Sequence, residues 1–178
     1  MGYSDRNFQG HLYKFTIFLS IRTVEKAQYM TYDKVRLTVA SVVEKNESYL
    51  MVEEIDSGNT VINQPAGHVE AGEDIVQASI RETYEETGWH VKPIGFLGFS
   101  QHFVMKTGVT YYRANFSAKP IQEDLKAKID SDIVRVMWLS FEEIEARQRF
   151  LRSPMVLMAI KRHRQKTIFP LELIINSL

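Results

Sequence analysis

Three glutamates, Glu82, Glu85 and Glu86, stand close together in one short segment. If the segment is helical, at about 100° per residue, the three carboxylates lie within an arc of about 100°. A solvated acidic surface is the ordinary interpretation of a glutamate-rich helix. Here, however, positions 78, 79, 89 and 90 are Ala, Ser, Trp and His, so no basic residue at these helical spacings relieves the repulsion. A hard cation, Mg²⁺ or Mn²⁺, would do so, because such ions bind carboxylates and substrate phosphates.

The loop before this segment adds a second observation. Gly67 and Gly72 lack side chains, so the backbone can approach a metal ion or a phosphate closely. Glu73 and Arg81 could pair across the loop and the helix and thereby orient the carboxylates. An ordinary surface ion pair is the alternative interpretation of that pair.

These residues together spell a known signature. Seven fixed positions follow the pattern Gly-x5-Glu-x7-Arg-Glu-U-x-Glu-Glu-x-Gly-U, where U is apolar; they are Gly67, Glu73, Arg81, Glu82, Glu85, Glu86 and Gly88. The pattern is the Nudix box, and the chain therefore resembles the Nudix hydrolases. Thr83 and Trp89 depart from the usual aliphatic residues at U positions. For these two we expect altered packing, not lost chemistry.

The resemblance implies a set of metal ligands. In the family the paired glutamates, here Glu85 and Glu86, are the main ligands, and Glu82 ligates metal or helps to activate water. The carbonyl group of Ala66 is a further ligand by the same analogy. An acid from a later loop commonly joins them; Asp132 is the first candidate and Asp130 the second, although an acidic turn explains both equally well. The expected cofactor is Mg²⁺ or Mn²⁺, and water attacks phosphorus with no covalent enzyme intermediate.

Short motifs outside the box resemble one subgroup. Residues 63–68, 130–133, 151–154 and 169–172 look like the NudJ-type phosphatases. Such enzymes act on nucleoside tri- and diphosphates, on thiamine pyrophosphate and on its hydroxymethylpyrimidine pyrophosphate precursor, and release inorganic phosphate. The resemblance predicts a Nudix domain over residues 30–178 and an N-terminal extension of unknown role over residues 1–29.

Several polar residues are candidates for substrate contacts. They are Gln64, Gly67, His68, Gln101, Tyr111 and Arg152. Each side chain among them has a structural alternative, since amide and hydroxyl groups at strand ends often bond the backbone and a tyrosine can simply pack in a sheet. His68 has no second histidine at ligand spacing, so it is a poor zinc candidate.

The secondary-structure elements that must position these residues can be predicted from hydrophobic periodicity and from capping and turn residues. A helix is predicted over residues 75–87, because Asp74 can cap its start and Gly88 can end it. On its helical wheel a core stripe, Val76, Ile80, Thr83, Tyr84 and Thr87, lies nearly opposite the glutamates. The glutamates would then face away from the core, toward a cleft or solvent.

Alternation predicts strands on both sides of this helix. A hairpin begins at Val35, a short strand covers residues 60–64, residues 65–72 form a loop, and later strands cover residues 94–104, 109–116 and 134–139. Ser140 with Glu143 forms a capping box, and Pro154 begins a last helix through about residue 164. The predicted fold class is an α+β or α/β/α sandwich, with a mixed sheet flanked by helices.

Composition narrows the class of protein. The 178 residues include 44% hydrophobic ones, which is enough for a core, and no cysteine, which excludes disulfides, thiolate metal sites and thiol nucleophiles. The apolar segment 13–21 is too short for a membrane helix, so a soluble, cytoplasmic protein is expected. Twenty-two basic and 22 acidic residues balance, and a nucleic-acid partner is not expected.

Three functions remain open. The first is hydrolysis of nucleotides or thiamine pyrophosphate with release of inorganic phosphate. The second is pyrophosphatase activity on nucleotide sugars or dinucleotides, which would release two phosphorylated fragments. The third is a Nudix-fold nucleotide sensor without catalysis, although such sensors usually lose a box glutamate and all three are present here. Either a monomer or a homodimer is compatible with the sequence.

Overall fold

A computed structural model describes residues 34–176 of the chain. The predicted extension over residues 1–29 lies outside the described residues, so its boundary stays a prediction. None of the described helices has the length and apolar character needed to cross a membrane.

Seven strands form one mixed, open sheet. They are β1 (Val35–Lys45), β2 (Ser48–Asp56), β3 (Asn59–Asn63), β4 (Ala66–His68), β5 (Trp89–Val104), β6 (Val109–Glu123) and β7 (Ile133–Ser140). The order is β3-β2-β1-β6-β5, while β4 pairs with β1 and β7 with β2. Among residues 34–176, three α-helices accompany the sheet: α1 (Ile75–Thr87), α2 (Phe141–Ala146) and α3 (Pro154–Arg164). Single 3-10 turns cover Gln148–Phe150 and Leu171–Leu173.

The sheet is buried on both faces. Successive side chains of a strand point to opposite sides, and β1 shows this directly. Val39 packs in a cluster with Ala78 of α1. Val42 packs in another cluster with Val156 and Ile160 of α3. Helices therefore cover two sides of the sheet, and the predicted three-layer α/β/α sandwich is confirmed.

The ends of α1 are those that the sequence predicts. One carboxylate oxygen of Asp74 accepts the backbone N–H groups of Val76 at 2.9 Å and Gln77 at 3.0 Å. At the other end Gly88 has φ 72° and donates its N–H to the carbonyl of Tyr84 at 2.7 Å. The helix that carries the glutamates thus has fixed limits at both ends.

We expect Gly88→Ala to lower the free energy of unfolding by about 2 kcal/mol, since an L-residue with positive φ costs roughly 1–2 kcal/mol. An added Cβ would also lie 3.1 Å from both Ala127 Cβ and Asp124 O. Gly58→Ala is the matched control, because Gly58 has φ +81° but no atom within 4 Å of an added Cβ. Urea unfolding of both variants measures the difference, and equal losses would show that the contact with the 124–127 segment is unimportant.

The strands around the box are longer than predicted. β5 begins at Trp89 and β6 continues to Glu123, beyond the predicted limits of residues 94 and 116. Proline lacks an N–H group and weakens a strand pattern, but Pro93 lies at a register shift and Pro120 pairs opposite Val91 beside another. Residues 66–68, predicted as part of a loop, pair with β1 as the short strand β4.

Candidate active site

Helix α1 turns two of its glutamates toward the protein interior. The exposed fraction is 9% for Glu82 and 7% for Glu86. Both line a cleft, one of the two positions predicted for them, although they are buried. Ile80 and Tyr84 of the predicted core stripe, by contrast, are only half-buried. The reason lies in two small residues, Ser79 and Thr83, which bring the helix close to the sheet.

The contact between α1 and β1 is made by hydroxyl groups. Ser41 Oγ of β1 donates to the carbonyl of Ser79 at 3.2 Å, and Thr83 Oγ1 lies 2.8 Å from Ser41 Oγ. Thr83 occupies a position where the Nudix box usually has an aliphatic residue, and its hydroxyl also donates to the carbonyl of Ser79 at 2.6 Å. The departure at Thr83 thus changes the packing from apolar to hydrogen-bonded.

Strand β4 meets the two buried carboxylates with its backbone. The N–H of Ala66 donates to Glu86 Oε2 at 2.9 Å. A Cβ added to Gly67 would lie only 2.0 Å from Glu82 Oε2, so no side chain fits there. The first box glycine is required because the carboxylate of Glu82 occupies the space beside it.

Arg81 connects the acidic residues of the box. Its Nε and Nη2 donate to the two carboxylate oxygens of Glu73 at 2.7 and 2.8 Å. Its Nη1 donates to Glu82 and Glu85, both at 2.9 Å, and Nη2 also donates to the carbonyl of His68 at 3.1 Å. The inference that the glutamates lack a helical counterion is therefore wrong: Arg81 lies four residues before Glu85 and supplies it.

Three of these acidic side chains, Glu73, Glu82 and Glu86, differ in their electrostatic environment. The hydrogen bond from Arg81 holds the pKa of Glu73 below its usual value. Burial raises the pKa of Glu82, and Arg81 opposes that effect. Burial also raises the pKa of Glu86 to about 9; the Ala66 N–H opposes this, while the charges of Glu54, Glu82 and Asp130 add to it. The ionised form of Glu86 is thus disfavoured by burial and by the neighbouring acids, and the Ala66 N–H is its hydrogen-bond donor.

A loop carries two more acids to the same place. The N–H of Asp130 donates to the carbonyl of Glu85 at 3.0 Å, and that of Asp124 donates to the carbonyl of Gly88 at 2.8 Å. The carbonyl of Asp132 accepts the N–H of Ile55 at 3.1 Å. Residues 124–132 are thereby held by backbone hydrogen bonds between the end of α1 and strand β2.

The buried glutamates open onto a cleft of about 710 Å³, which we call the central cleft. The predicted metal ligands that line it are Ala66, Glu82, Glu86, Asp130 and Asp132. Glu85, Arg81 and Glu73 do not line it, and the side chain of Glu85 is 41% exposed. Through Arg81, Glu73 and Glu85 contact Glu82 from outside the cleft.

The predicted substrate contacts are divided in the same way. Gly67, His68, Tyr111 and Arg152 line the central cleft, and the rings of His68 and Tyr111 lie 6.3 Å apart. Gln64 is fully buried behind the lining residues, and Gln101 is exposed away from it. Neither glutamine lines the cleft. Side chains alternate along β5, so His102 faces the cleft and Gln101 does not, whereas Gln64 lies in the connection between β3 and β4.

Sequence reasoning missed three cleft residues, Glu54, Asn63 and Arg113. All three are buried and lie on strands β2, β3 and β6. One signal was present for Arg113, which directly precedes the core residue Ala114 in β6. A charged residue at such a position is seldom buried without a role.

The donor chemistry of the central cleft fits a hard divalent cation. The charge of Asp130 raises the pKa of both Glu82 and Glu86, and all three side chains offer only oxygen atoms. Within residues 34–176 no three His, Asp or Glu side chains are placed at present as ligands of one ion. The hydrogen bonds from Arg81 to Glu82 and from Ala66 to Glu86 account for that placement. The residues therefore fit such a cation in kind, and binding would require these carboxylates to reorient.

Comparison with known proteins shows which family the chain resembles. The family model of the NUDIX domain matches residues 34–157. Phosphatase NudJ of Escherichia coli K12 and that of Shigella boydii serotype 4 are each 38% identical over 141 residues, which cover 79% of this chain and 91% of theirs.

Solved structures agree with the sequence relatives. A NUDIX hydrolase from Nitrosomonas europaea is 39% identical, with a TM-score of 0.79, over 81% of this chain and 98% of that one. The MutT protein from Methanosarcina mazei Go1 is 18% identical with a TM-score of 0.62, over 74% of this chain and 95% of that one, and shows likeness of fold alone. The matched segments include the helix and loop that carry the acidic residues.

Proposed function

The chain belongs to the Nudix family, as a hydrolase that acts on anhydrides, and on this premise we propose that it cleaves a phosphoanhydride bond in nucleoside tri- or diphosphates or in thiamine pyrophosphate-type compounds, with release of inorganic phosphate. One observation carries the proposal: Glu82 and Glu86 are buried side by side against the backbone of Gly67 and Ala66, in a cleft that Asp130 and Asp132 also line. The 38% identity to NudJ phosphatases supports the class of substrate.

We call Glu82, Glu86, Asp130 and Asp132 the acidic wall of the cleft. Mg²⁺, or Mn²⁺ in its place, is the cofactor that we propose for it. A divalent cation bound there supplies neutralisation of phosphate oxygens and increases the acidity of a water molecule. Glu86 and Glu82 would hold it together with Asp130 or Asp132 and the Ala66 carbonyl. Arg81 positions Glu82 and Glu85 through its hydrogen bonds to both, and Glu73 in turn holds Arg81. The protein thereby fixes the direction from which water approaches phosphorus.

The organic part of the substrate has a separate place. A pocket of about 490 Å³ shares His102, Arg152 and Ser153 with the central cleft. Its remaining surface is partly apolar, with Leu157 and Met158 among its residues. A heterocycle fits such a surface while the phosphates reach the glutamates. We therefore propose that the base or thiamine group lies here, with Tyr111 and His68 nearer to the phosphates.

Product analysis tests the function. The purified protein is incubated with nucleoside tri- and diphosphates, thiamine pyrophosphate, ADP-ribose and a dinucleoside polyphosphate, each with Mg²⁺ and with chelator. We expect inorganic phosphate from the first three with Mg²⁺ and none with chelator. Two phosphorylated fragments from the last two would instead support a pyrophosphatase, and binding without turnover would support a sensor. Turnover that survives chelation would contradict the mechanism.

A further inference from the structure

One part of the central cleft contains buried polar atoms without partners. Among the described residues, nine buried side-chain nitrogen or oxygen atoms have no hydrogen-bond partner, and four of these belong to residues that line this cleft. The four atoms are Glu54 Oε1, Asn63 Nδ2, Arg113 Nε and Ser153 Oγ. Buried polar groups are rarely left unpaired, so such a concentration in one cleft indicates a site built for a polar ligand.

Of these four residues, Arg113 is the one whose burial should cost the most free energy. Its exposed fraction is 6%, and its Nη1 makes only a long hydrogen bond of 3.4 Å to Asn63 Oδ1. It forms no salt bridge with any described residue. Burial, and after it the charge of Arg152, lower its pKa to about 10. At neutral pH it is therefore a buried cation whose charge nothing in contact with it neutralises.

Arg113 differs from its neighbour Arg152 in having no carboxylate in contact with it. Arg152 donates from Nη1 to Glu54 Oε2 at 2.8 Å, so these two compensate each other, and Asp56 lies 3.8 Å from Arg152. Three of the four unpartnered atoms, on Arg113, Asn63 and Ser153, can donate a hydrogen bond. A site with several donors and one uncompensated positive charge suits a ligand rich in acceptor oxygens and negatively charged.

We propose that Arg113, together with Asn63 and Ser153, binds a phosphate group of the substrate other than the one at the acidic wall. The identity of the ligand as a phosphate of the substrate rests on the proposed function. In this arrangement the carboxylates would hold the cation beside the phosphorus that is attacked. Arg113 would hold the neighbouring phosphate. Arg113 is then a residue that selects diphosphate and triphosphate over monophosphate compounds.

A purely structural role for Arg113 is the competing explanation. Glu54 and Glu86 act on it through charge without contact, so Arg113 could simply offset the acidic wall. In that case its replacement would change stability and cation binding, but not the affinity for a diphosphate. Ligand affinity measured apart from turnover separates the two roles.

The test uses methylenediphosphonate, a diphosphate analogue that cannot be hydrolysed, in titration calorimetry with Mg²⁺ present. We expect Arg113→Gln to weaken its binding by about 10- to 100-fold, since one charged hydrogen bond contributes roughly 1.5–3 kcal/mol. Arg113→Lys should lie between, because it keeps the charge without the fork of donors. Arg135→Gln is the matched control and should bind like the wild type, because Arg135 pairs with Glu53 on the surface away from the cleft.

Kinetics and a second variant complete the test. With a nucleoside diphosphate, Arg113→Gln should raise KM about tenfold or more, with a smaller change in kcat. If that variant does not fold, Arg113→Lys and Asn63→Ser decide on the same readouts, and unchanged analogue affinity in the folded variants overturns the inference. Wild-type protein that binds the analogue through Arg113 but hydrolyses no substrate would refute the proposed function and leave this site standing. Wild-type turnover, together with analogue binding that does not depend on Arg113, would support the proposed function and refute this site.

Discussion

Replacing Glu86 by Gln is expected to lower kcat roughly a thousandfold and at the same time to stabilise the protein in chelator. The amide keeps the size of the side chain but removes the charge that would bind the cation. It also removes the free-energy cost of protonating Glu86 on folding near neutral pH, which arises because burial and the charges of Glu54, Glu82 and Asp130 raise its pKa. Without metal, we expect this gain in the free energy of unfolding to be on the order of 2 kcal/mol near pH 7. Glu123→Gln, an exposed glutamate, is the control.

The same carboxylate predicts a pH dependence of stability. Burial raises the pKa of Glu86 from 4.5 to about 9. Below about pH 4.5 both the folded and the unfolded protein hold the proton, so stability is unaffected. Between about pH 4.5 and pH 9 the unfolded chain releases this proton and the folded protein keeps it, so unfolding becomes easier as the pH rises. Above that window the loss is complete.

Urea unfolding in chelator, repeated across this pH window, checks both expectations for Glu86. The wild type should lose stability with rising pH more steeply than Glu86→Gln, whose amide does not titrate. Glu82, with a pKa raised in the same direction, leaves a residual pH dependence in the variant. Added Mg²⁺ should flatten the wild-type curve, because a bound cation favours the ionised form. Equal slopes for the two proteins, or an active and chelator-resistant Glu86→Gln, would refute the assignment.

The second large effect is expected at Gly67. Gly67→Ala should lower kcat/KM by about 100-fold, because a misplacement of about 1 Å at the reacting groups can cost that much. The added methyl carbon would lie 2.0 Å from Glu82 Oε2, so either the carboxylate or strand β4 must move. Both movements disturb the acidic wall, since β4 also donates the Ala66 N–H to Glu86.

Gly72→Ala is the control for Gly67→Ala, because Gly72 lies nearby, in the loop between β4 and α1. Gly72 has φ +79°, but nothing lies within 4 Å of an added Cβ, so its replacement strains only the local backbone. We expect Gly72→Ala to lose a little stability and to keep kcat/KM within a few-fold. Steady-state kinetics and a melting temperature for both variants provide the comparison. A fully active Gly67→Ala would show that the close approach to Glu82 is dispensable.

Local signals in the sequence were sufficient for the element that carries the chemistry. Asp74 and Gly88 mark the ends of α1 because caps are short-range features of one or two residues. The direction of that helix was harder to predict. Its wheel contains few large apolar residues, and hydroxyl contacts through Ser79 and Thr83 decide which side is buried. Arg81 was seen as a partner of Glu73, but its bonds to Glu82 and Glu85 were missed.

The second wall of the cleft could not be predicted, for a different reason. Glu54, Asn63 and Arg113 are separated along the chain and meet only because β3, β2, β1 and β6 lie in that order in the sheet. No local pattern fixes such non-consecutive neighbours. A related limitation explains Gln101: it lies one position from His102, which faces the cleft, and a single step along a strand reverses the side. Gln64 lies between β3 and β4, where no strand period applies.

The loop of residues 124–132 is attached by main-chain groups, through the carbonyls of Gly88 and Glu85 and the N–H of Ile55. Bonds of this kind depend on the number of residues between the anchors and hardly at all on which residues they are. The loop can therefore behave as an exchangeable cassette. Its side chains other than those of Asp124, Asp130 and Asp132 are open to replacement by selection or by design. Inserting or deleting one residue between Asp124 and Asp130 would instead shift the acids out of line with α1.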